Sequence, residues 1–530
     1  MFIFVSIDAT QQNNNEKKPM QLITQNQSVV ILSDIDSVAV ARKSLAQGVR
    51  VESLGLDAAE EIPSGHKIAR RAITKGQQVL KYGQVIGIAT QDIAAGAHVH
   101  THNVAMPDSH TSKELPAVIE RTAVLPPEQR RRFMGYRRPD GRVGTRNYIG
   151  ILSTVNCSAT VSRAVAAHFN GSELLKQYNI DGVVALTHGS GCAINTDSEG
   201  FKFLERSIWG YACNPNIAGA LIIGLGCETN QISSLMKRYN LSEGPNFRVF
   251  NIQNAGGTRA SIAKAIDQVT DMLAAIGRLE RTSESVEHIM VGMQCGGSDG
   301  YSGITANPAL GYAADLLVRH GGTAILSETP EIYGAEHLLI ARATSHDIAQ
   351  KLLDRLTWWE NYTRINGAEL NNNPSPGNKA GGLTTILEKS LGAAAKGGST
   401  SLNGVYEWGE PITEHGFVFM DSPGYDPVSV TGQVASGANM ICFTTGRGSV
   451  SGFKPAPCIK LATNTDMYRR LEEDMDINCG GIVDGELSVA EAGEKIFDIL
   501  LEIASGTPSK SEQYNYGDNE FVPWQVGAVT

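Results

Sequence analysis

The chain has 530 residues, with 45 Lys and Arg against 55 Asp and Glu, and a formal net charge of −10. With 42% hydrophobic and 19% charged residues it can bury a substantial core, which excludes global disorder. Its length predicts about two to four domains. The acidic balance argues against nucleic acid or an anionic membrane as a partner, and no apolar run reaches the roughly 18 to 20 residues of a membrane-spanning helix. We expect a cytoplasmic protein that acts on a small molecule.

The first part of the chain predicts a tail, a small module and a linker. Residues 8–20 are polar and patternless, and residues 1–20 are predicted to be a disordered tail. Residues 21–105 alternate short β-type runs with turn signals such as Lys75-Gly76, which indicates a β-rich domain. Residues 106–134 contain several prolines and little apolar periodicity, and this is typical of a linker.

The rest of the chain predicts an α/β fold. Apolar strands run into glycine-rich turns and then into amphipathic stretches, which is the rhythm of βαβ units with largely parallel strands. A charged, weakly apolar stretch at residues 278–287 divides this region. We therefore predict a second domain over residues 135–285 and a C-terminal domain over residues 286–525, both α/β.

Polar side chains follow four predicted strands at the point where each strand ends. Ligands of open parallel sheets bind beyond the carboxyl ends of the strands, so these loops are expected to meet at one rim. A mixed set of thiolate, imidazole and carboxylate suits iron(II) or zinc(II) better than magnesium. The alternative is that each cysteine is a small apolar residue of the core. The groups are Cys157, His188 with Cys192, Cys227 with Glu228, and Cys295 with Asp299.

The eight cysteines show no CxxC pair, and a disulfide framework is not expected. Glycines surround Cys192 and Cys295 and allow close approach of a ligand, which favours a functional role for these two. The remaining cysteines lack such a setting and are predicted to be structural: Cys213, Cys442, Cys458 and Cys479.

A histidine cluster closes the N-terminal module. If the chain is extended there, alternation places His98, His100 and His102 on one face, which suits metal binding or an acid–base relay. Alternating histidines are also common on solvated edges, so that alternative stays open. His66 is a weaker candidate, for which a buried, hydrogen-bonded side chain is the competing interpretation.

Two arginines stand in glycine-containing turns. Arg146 lies in the segment Gly144 to Asn147, and Arg447 lies between Gly446 and Gly448. A planar guanidinium matches a carboxylate with two hydrogen bonds, so both are candidates for binding an acidic substrate. The alternative for each is a structural ion pair. The sequence contains no P-loop and no GxGxxG between a strand and a helix, so nucleotide use is not supported.

Several longer motifs resemble the altronate/galactarate dehydratase family. The matching segments are GRVGTRN (141–147), IGLGCE (223–228), QCGGSDGYSGITANP (294–308), NPSPGNKAGG (373–382) and FTTGRG (443–448). The β-rich module resembles the SAF domain that precedes the catalytic region in this family. The resemblance implies a lyase that removes water from a six-carbon sugar acid to give a 2-keto-3-deoxy acid. Iron(II) is the implied metal, with manganese(II) as a substitute.

Such a reaction removes the C2 proton beside a carboxylate and expels the C3 hydroxyl, so it needs a base, an acid and cations that stabilise the enediolate. We expect the acid–base groups among His66, His98, His100, His102, His188 and Asp299. The expected substrate-binding residues are Arg146, Asn307, Lys379 and Arg447. The expected metal ligands are Cys157, Cys192, Cys227, Glu228 and Cys295.

Altronate is the expected substrate, because the histidine-rich end of the module and residues 329–336 resemble the altronate branch. Residues 430–443 and 474–478 resemble the galactarate branch, so galactarate stays an alternative. A sulfo-lyase for a sulfonated hydroxy acid and a sugar-acid-binding regulatory protein are two further functions that the residues allow. An iron–sulfur cluster in place of a single ion also stays open, as does assembly into a homo-oligomer.

Overall fold

A computed structural model describes residues 28–107 and 117–527. The predicted tail, residues 1–20, and part of the predicted linker, residues 108–116, lie outside the described residues. The N-terminal module contains short strands and tight turns. Its strands are β1 (Val29–Val30), β2 (Val38–Ala41), β3 (Arg50–Val51), β4 (Leu56–Asp57), β5 (Lys67–Ala69), β6 (Gln78–Lys81), β7 (Gln84–Ala89), β8 (His98–Val99) and β9 (Val104–Ala105).

A second region alternates strands and helices. Its strands are β10 (Arg132–Arg137), β11 (Val143–Gly144), β12 (Tyr148–Ser153), β13 (Gly182–Leu186), β14 (Ile217–Gly224) and β15 (Phe247–Asn251). Its helices are α1 (Ala159–Phe169), α2 (Glu173–Gln177), α3 (Glu199–Ala212), α4 (Ile232–Arg238) and α5 (Thr258–Ile276).

The C-terminal region continues this alternation. Its strands are β16 (Thr282–Ser285), β17 (Met290–Cys295), β18 (Thr323–Leu326), β19 (Leu402–Tyr406), β20 (Gly416–Met420), β21 (Met440–Thr445), β22 (Cys458–Ala462) and β23 (Ile477–Asn478). Its helices are α6 (Ala306–Arg319), α7 (Glu336–Ile340), α8 (His346–Ile365), α9 (Pro376–Ala380), α10 (Ile386–Ala394), α11 (Asp426–Ala435), α12 (Thr465–Arg470), α13 (Gly481–Asp484), α14 (Val489–Ala504) and α15 (Lys510–Gln513).

Two parallel sheets form the α/β part. The second region has the strand order β13-β12-β14-β15, and the C-terminal region has β19-β20-β18-β17-β21-β22-β23, with parallel pairing throughout both sheets. Strands β12 and β14 are buried along their whole length, as expected for strands of a parallel sheet that helices cover on both faces. The predicted fold class, a small β-rich module followed by a large α/β region, is confirmed.

A small antiparallel sheet joins the second and C-terminal regions. Strand β10 pairs with β11 on one side and with β16 on the other, with Phe133 opposite Glu284. Phe133 and Val143 are buried in the same apolar cluster as residues of β17 and α14. Helix α14 begins with a capping box of Ser488 and Glu491, which satisfies backbone N–H groups of its first turn.

The N-terminal module packs directly on the C-terminal region. Its apolar core continues into Tyr301, Ile304 and Leu391 of the C-terminal region. At the same contact Glu388 of α10 accepts hydrogen bonds from Lys67 Nζ (2.9 Å) and Lys81 Nζ (2.9 Å). All three charged side chains are at most 1% exposed, so the module is held by a buried ion triad as well as by apolar packing.

Among the described residues, every helix is too short or too polar to cross a bilayer.

Candidate active site

Strand β17 ends at Cys295, whose thiol belongs to a buried set of charged side chains. Lys396 donates a hydrogen bond to Cys295 Sγ at 2.7 Å, and Sγ lies 3.4 Å from Glu331 Oε2. Lys389 donates to Glu331 Oε1 at 2.6 Å and to Asn373 Oδ1 at 2.7 Å. We call Cys295, Glu328, Glu331, Lys389, Lys396 and Asp426 the charge cluster. It places two ammonium groups and a thiol beside carboxyl groups in the interior of the C-terminal region.

The carboxyl groups of the charge cluster differ in protonation. Burial, and then the charge of Glu331, raise the pKa of Glu328 well above its ordinary value. Burial acts in the same direction on Glu331, but the two lysines outweigh it and the pKa of Glu331 is lowered. Burial, and then the charge of Glu331, raise the pKa of Asp426 to about 7. When neighbouring carboxyl groups have different pKa values, one can act as an acid and another as a base.

The backbone at Glu328 is strained. This residue follows β18 and has a φ of +70°, in the left-handed region that side-chain-bearing residues rarely adopt. Its N–H donates to Ser422 Oγ at 3.0 Å, and its carboxyl group lies 3.8 Å from Lys396 Nζ. Strained residues persist where the surrounding structure fixes them, and such positions concentrate at functional sites.

The turn Gly296-Gly297 brings the charge cluster to the surface. A Cβ at Gly296 would lie 2.6 Å from Asp426 Oδ2, and a Cβ at Gly297 would lie 3.2 Å from Arg447 Cβ. Gly297 and Arg447 are exposed, and Asp426 is half-buried. The glycine turn therefore adjoins both the half-buried Asp426 carboxyl group, whose pKa is near 7, and the base of the exposed Arg447 side chain.

The histidines of the N-terminal module form a second cluster. His66 Nδ1 and His98 Nε2 are 3.0 Å apart, and the rings of His98 and His100 stack at 5.3 Å. The exposed His102 ring lies 5.5 Å from the His98 ring. Burial lowers the pKa of His98 to about 3 and of His100 to about 4, with further lowering from neighbouring cations, so both rings are neutral at physiological pH.

One loop connects the histidines with the charge cluster. In residues 373–382, Asn373 contacts Lys389 and Glu331, while the Ala380 carbonyl lies 3.2 Å from His66 Nε2. Between them, Asn378 Nδ2 donates at 2.8 Å to the Ser298 carbonyl of the glycine-rich loop, residues 296–300. The N-terminal module and the C-terminal region therefore contribute polar groups to opposite ends of the same loop.

The glycine-rich loop is anchored by Asp299, which we expected to be an acid–base group. Its carboxylate is fully buried and accepts hydrogen bonds from Ser302, Thr463 and Asn464. Burial raises its pKa against these hydrogen bonds. A Cβ at Gly446 would lie 2.2 Å from Asp299 Cγ, so this carboxylate fills the space between loops. These contacts fix the loop, and an acid–base role of Asp299 stays a prediction.

The four expected substrate-binding residues lie in different surroundings. Arg146 forms an internal ion pair with Glu512, with Nε 2.6 Å from Oε1, so the structural alternative describes its position. Asn307 is buried, donates to the Gly392 carbonyl and accepts from Thr444 Oγ1. Lys379 is partly exposed on the loop of residues 373–382. Among the described residues, the guanidinium of Arg447 has no paired acceptor, which leaves it available to a ligand.

The expected metal ligands are divided between two sheets. Cys157, Cys192 and Cys227 are exposed and follow β12, β13 and β14 of the second region, whereas Cys295 is the last residue of β17 in the C-terminal sheet. The expectation of a single rim therefore differs from the structure. The sequence pattern marks the end of each strand but not the sheet to which that strand belongs.

Two sets of side chains bring three ligand atoms within 4.8 Å of one another in the described part of the chain. The first is His66, His98 and His100, and the second is Cys295, Glu328 and Glu331. The Nδ1 atom of His100 is buried without a hydrogen-bond partner. In the second set, Lys396 already donates to the sulfur and Lys389 to Glu331, so cations compensate its charge.

Comparison with known families covers most of the chain. Residues 27–107 match the altronate/galactarate dehydratase SAF domain, residues 135–277 the second domain of D-galactarate dehydratase/altronate hydrolase, and residues 286–529 the C-terminal part of D-galactarate/altronate dehydratase. A galactarate dehydratase (L-threo-forming) of Escherichia coli is 37% identical over 481 residues, which are 89% of this chain and 92% of the relative. The chain belongs to the D-galactarate/altronate dehydratase family. The resemblance of its motifs is thereby confirmed.

Further relatives extend the comparison beyond one substrate. An altronate dehydratase of Escherichia coli is 33% identical over 493 residues, 91% of this chain and 96% of the relative. A (2R)-sulfolactate sulfo-lyase subunit beta of Chromohalobacter salexigens is 33% identical over 397 residues, 74% of this chain and 97% of the relative. This member of the D-galactarate/altronate dehydratase family is thus also similar in sequence to a subunit of a sulfo-lyase.

In this D-galactarate/altronate dehydratase, the sequence alone did not indicate most residues of the charge cluster. Glu328 and Glu331 follow strand β18 and therefore had the same signal as the candidates after other strands. Lys389 and Lys396 lie in and just after a buried helix, and Asp426 starts another helix, where a charged residue is ordinary. Their proximity arises only from tertiary packing.

Proposed function

We propose that this chain is a hydro-lyase that removes water from a six-carbon sugar acid and yields a 2-keto-3-deoxy acid. The observation that supports this proposal is the arrangement at Gly296-Gly297, where the half-buried Asp426 and the exposed Arg447 both adjoin the glycine turn and Asp426 is near the buried lysines of the charge cluster. Membership of a dehydratase family supports the reaction class.

Arg447 binds the carboxylate of the substrate in this proposal. Its guanidinium is exposed and free of an ion pair among the described residues, and its planar fork matches a carboxylate with two hydrogen bonds. Lys396 and Lys389 stabilise the negative charge of the enediolate. The pKa of each is raised because neighbouring acidic groups outweigh the effect of burial, so both remain cationic.

Asp426 is the proposed general base. A pKa near 7 suits proton transfer at physiological pH, and the carboxyl group is half-buried beside the glycine turn. The base takes the C2 proton, and the electron pair of that bond moves toward the carboxylate to form the enediolate. The pair then forms the C2–C3 double bond as the C3–O bond breaks. Glu328, which its raised pKa keeps protonated, gives the proton with which the C3 hydroxyl leaves as water. The enol then tautomerises to the 2-keto acid.

Iron(II) is the proposed metal, with manganese(II) as a substitute. Neutral imidazoles are good ligands for such an ion, and the buried Nδ1 of His100 has no other partner, so His66, His98 and His100 fit it better than the lysine-compensated set at Cys295. A divalent ion held there would supply a Lewis acid for a substrate oxygen.

Galactarate and altronate are the candidate substrates. The galactarate dehydratase is 37% identical to this chain and the altronate dehydratase of the same organism 33%. The histidine cluster supports altronate through its resemblance to that branch. The test is a panel of aldonates and aldarates, with metal-free protein and added iron(II) under reducing, anaerobic conditions, followed by detection of the 2-keto-3-deoxy product. Absence of dehydration across the panel would contradict the proposal.

A sulfo-lyase activity is the second candidate, because the similarity to the sulfolactate sulfo-lyase subunit covers 97% of that relative. Both reactions begin with removal of a proton beside a carboxylate and differ in the leaving group. Adding sulfolactate to the panel and measuring sulfite distinguishes them. Sulfite release without dehydration of any sugar acid would favour the second candidate.

A further inference from the structure

The second region presents three exposed cysteines on neighbouring loops. Cys157 follows β12, Cys192 lies in the loop after β13, and Cys227 follows β14, and all three are exposed. Cysteine is among the residue types most often buried. The other cysteines of the chain are partly or fully buried: Cys213, Cys295, Cys442, Cys458 and Cys479. Three thiols at the carboxyl ends of adjacent parallel strands therefore need an explanation other than packing.

Direct hydrogen bonds hold the three loops together. The Asn156 N–H donates to the Ser190 carbonyl at 3.0 Å, which joins the first loop to the second. The Asn230 N–H donates to the Gly191 carbonyl at 3.1 Å, and its Nδ2 donates to the Thr154 carbonyl at 3.0 Å, which joins the third loop to both. Each cysteine lies within three residues of one of these contacts. The three thiols therefore share one rim.

The carboxylate and the imidazole of this rim already have hydrogen-bond partners. Glu228 accepts from Thr154 Oγ1 and from the N–H groups of Leu225 and Gly226, at 2.7, 3.1 and 2.6 Å. The two ring nitrogens of His188 contact the Ser153 carbonyl (2.9 Å) and the Ser190 N–H (3.2 Å). These two side chains hold the loops in place, and the three thiols remain available to a ligand.

We propose that Cys157, Cys192 and Cys227 bind an iron–sulfur cluster that contains four irons. Each of the three thiolates binds one iron, and the fourth iron has no thiolate ligand from this rim. A set of thiolates without an available imidazole or carboxylate selects a soft metal centre, and cysteine thiolates are the usual ligands of such clusters. This site is separate from the histidine cluster of the N-terminal module.

A chain of contacts links the rim to helix α11. The His188 ring lies 6.3 Å from the Phe521 ring, and the neighbouring Val522 N–H donates to Thr431 Oγ1 of α11 at 2.9 Å. Helix α11 begins at Asp426, the proposed base. An iron without a thiolate from the protein would supply a Lewis acid for an oxygen of the acid substrate. Only this role rests on the proposed function, and cluster binding itself does not.

The first test is the composition of the full-length protein after anaerobic reconstitution with iron(II) and sulfide. We expect about four irons and about four sulfides per chain and a visible absorbance band that bleaches on reduction. Replacing Cys157, Cys192 or Cys227 with alanine is expected to remove most of the sulfide, whereas Cys213→Ala, at a partly buried position, retains it. A single iron without sulfide in the native sequence, or an unchanged cluster when all three cysteines are replaced, would overturn the inference.

A pair of glycine variants tests the geometry without touching a ligand. Gly191 has a φ of +104°, and a Cβ there would lie 2.2 Å from the Thr154 carbonyl oxygen. Gly191→Ala is therefore expected to displace the loop of Cys192 and to lower the sulfide content at least severalfold. Gly189→Ala is the matched control, because a Cβ there has no neighbour within 4 Å. Equal sulfide content in the two variants would speak against a site that depends on this rim.

These readouts separate the two proposals. Iron and sulfide content are measured without substrate, so a loaded cluster in a protein that dehydrates no sugar acid would contradict the proposed function alone. Dehydration by a protein that holds no sulfide would contradict the cluster alone.

Discussion

Lys396 donates a hydrogen bond to the sulfur of Cys295 across 2.7 Å, in a region where both side chains are at most 2% exposed. Burial raises the pKa of the Cys295 thiol to about 12, and burial also opposes the charge on Lys396. Neighbouring acidic groups outweigh that effect, so the ammonium persists in a low-dielectric interior. A fixed cation in such a place interacts strongly with any negative charge that forms nearby.

The first prediction concerns this cation. Replacing Lys396 with methionine is expected to lower kcat at least about 100-fold, because a preorganised group that stabilises developing charge is lost. The effect is measured by steady-state kinetics with the sugar acid that the native protein dehydrates, and circular dichroism confirms the fold. Lys495→Met, at an exposed position, is the control and is expected to leave the rate unchanged. A near-normal rate in Lys396→Met would remove the lysine from the mechanism.

The second prediction follows from the pKa of Asp426. If its carboxylate is the base, kcat rises as the pH increases through about 7 and then levels off, because the ionised form is the active one. Asp426→Asn is expected to lower kcat by about 10² to 10⁴-fold and to abolish this limb of the profile. If kcat of Asp426→Asn still rises through the same pH range at a lower level, the titrating group is another residue.

The third prediction compares two arginines. Arg447→Lys is expected to raise KM about tenfold, since an ammonium keeps the charge but loses the double hydrogen bond to a carboxylate. Arg146→Lys is expected to lower the melting temperature with little change in KM, because its guanidinium is engaged with Glu512 inside the protein. Kinetics and thermal unfolding of both variants provide the comparison. The reverse pattern would place the substrate carboxylate at Arg146.

The fourth prediction tests the contact of the N-terminal module. Glu388→Gln leaves the ammonium groups of Lys67 and Lys81 buried without a carboxylate, and breaking such a set is expected to cost about 3–5 kcal/mol of unfolding free energy. Urea unfolding measures this loss. Glu173→Gln, which removes one partner of an exposed pair with Lys176, is the control and should have little effect. Equal stability of the two variants would show that apolar packing alone holds the module.

Local signals in the sequence predicted much of the architecture. Buried strands such as β12 and β14 are continuous apolar runs, and the glycine-rich turn after Cys295 follows a strand end that is visible in the sequence. These features depend on neighbours along the chain. For the same reason the order of a β-rich module and a large α/β region was predictable.

Partners distant in sequence were not predictable in the same way. Lys396 contacts Cys295 from 101 residues away, and Glu331 meets Lys389 across 58 residues. A lysine in a helix carries the same local signal whether it faces water or a buried thiol. Arg146 is the opposite case, because its glycine turn suggested ligand binding, while Glu512 from the far end of the chain takes up the guanidinium.

Glu388 and Lys389 are consecutive residues of α10, and successive side chains on a helix point about 100° apart. One turn of helix therefore presents the first to the N-terminal module and the second to Glu331 of the charge cluster. Any change in how the module is seated rotates or shifts this turn and so alters the direction of the Lys389 ammonium. A chimera that takes its module from a relative would thus change the direction of the Lys389 ammonium in the charge cluster, even with every residue of the C-terminal region unchanged.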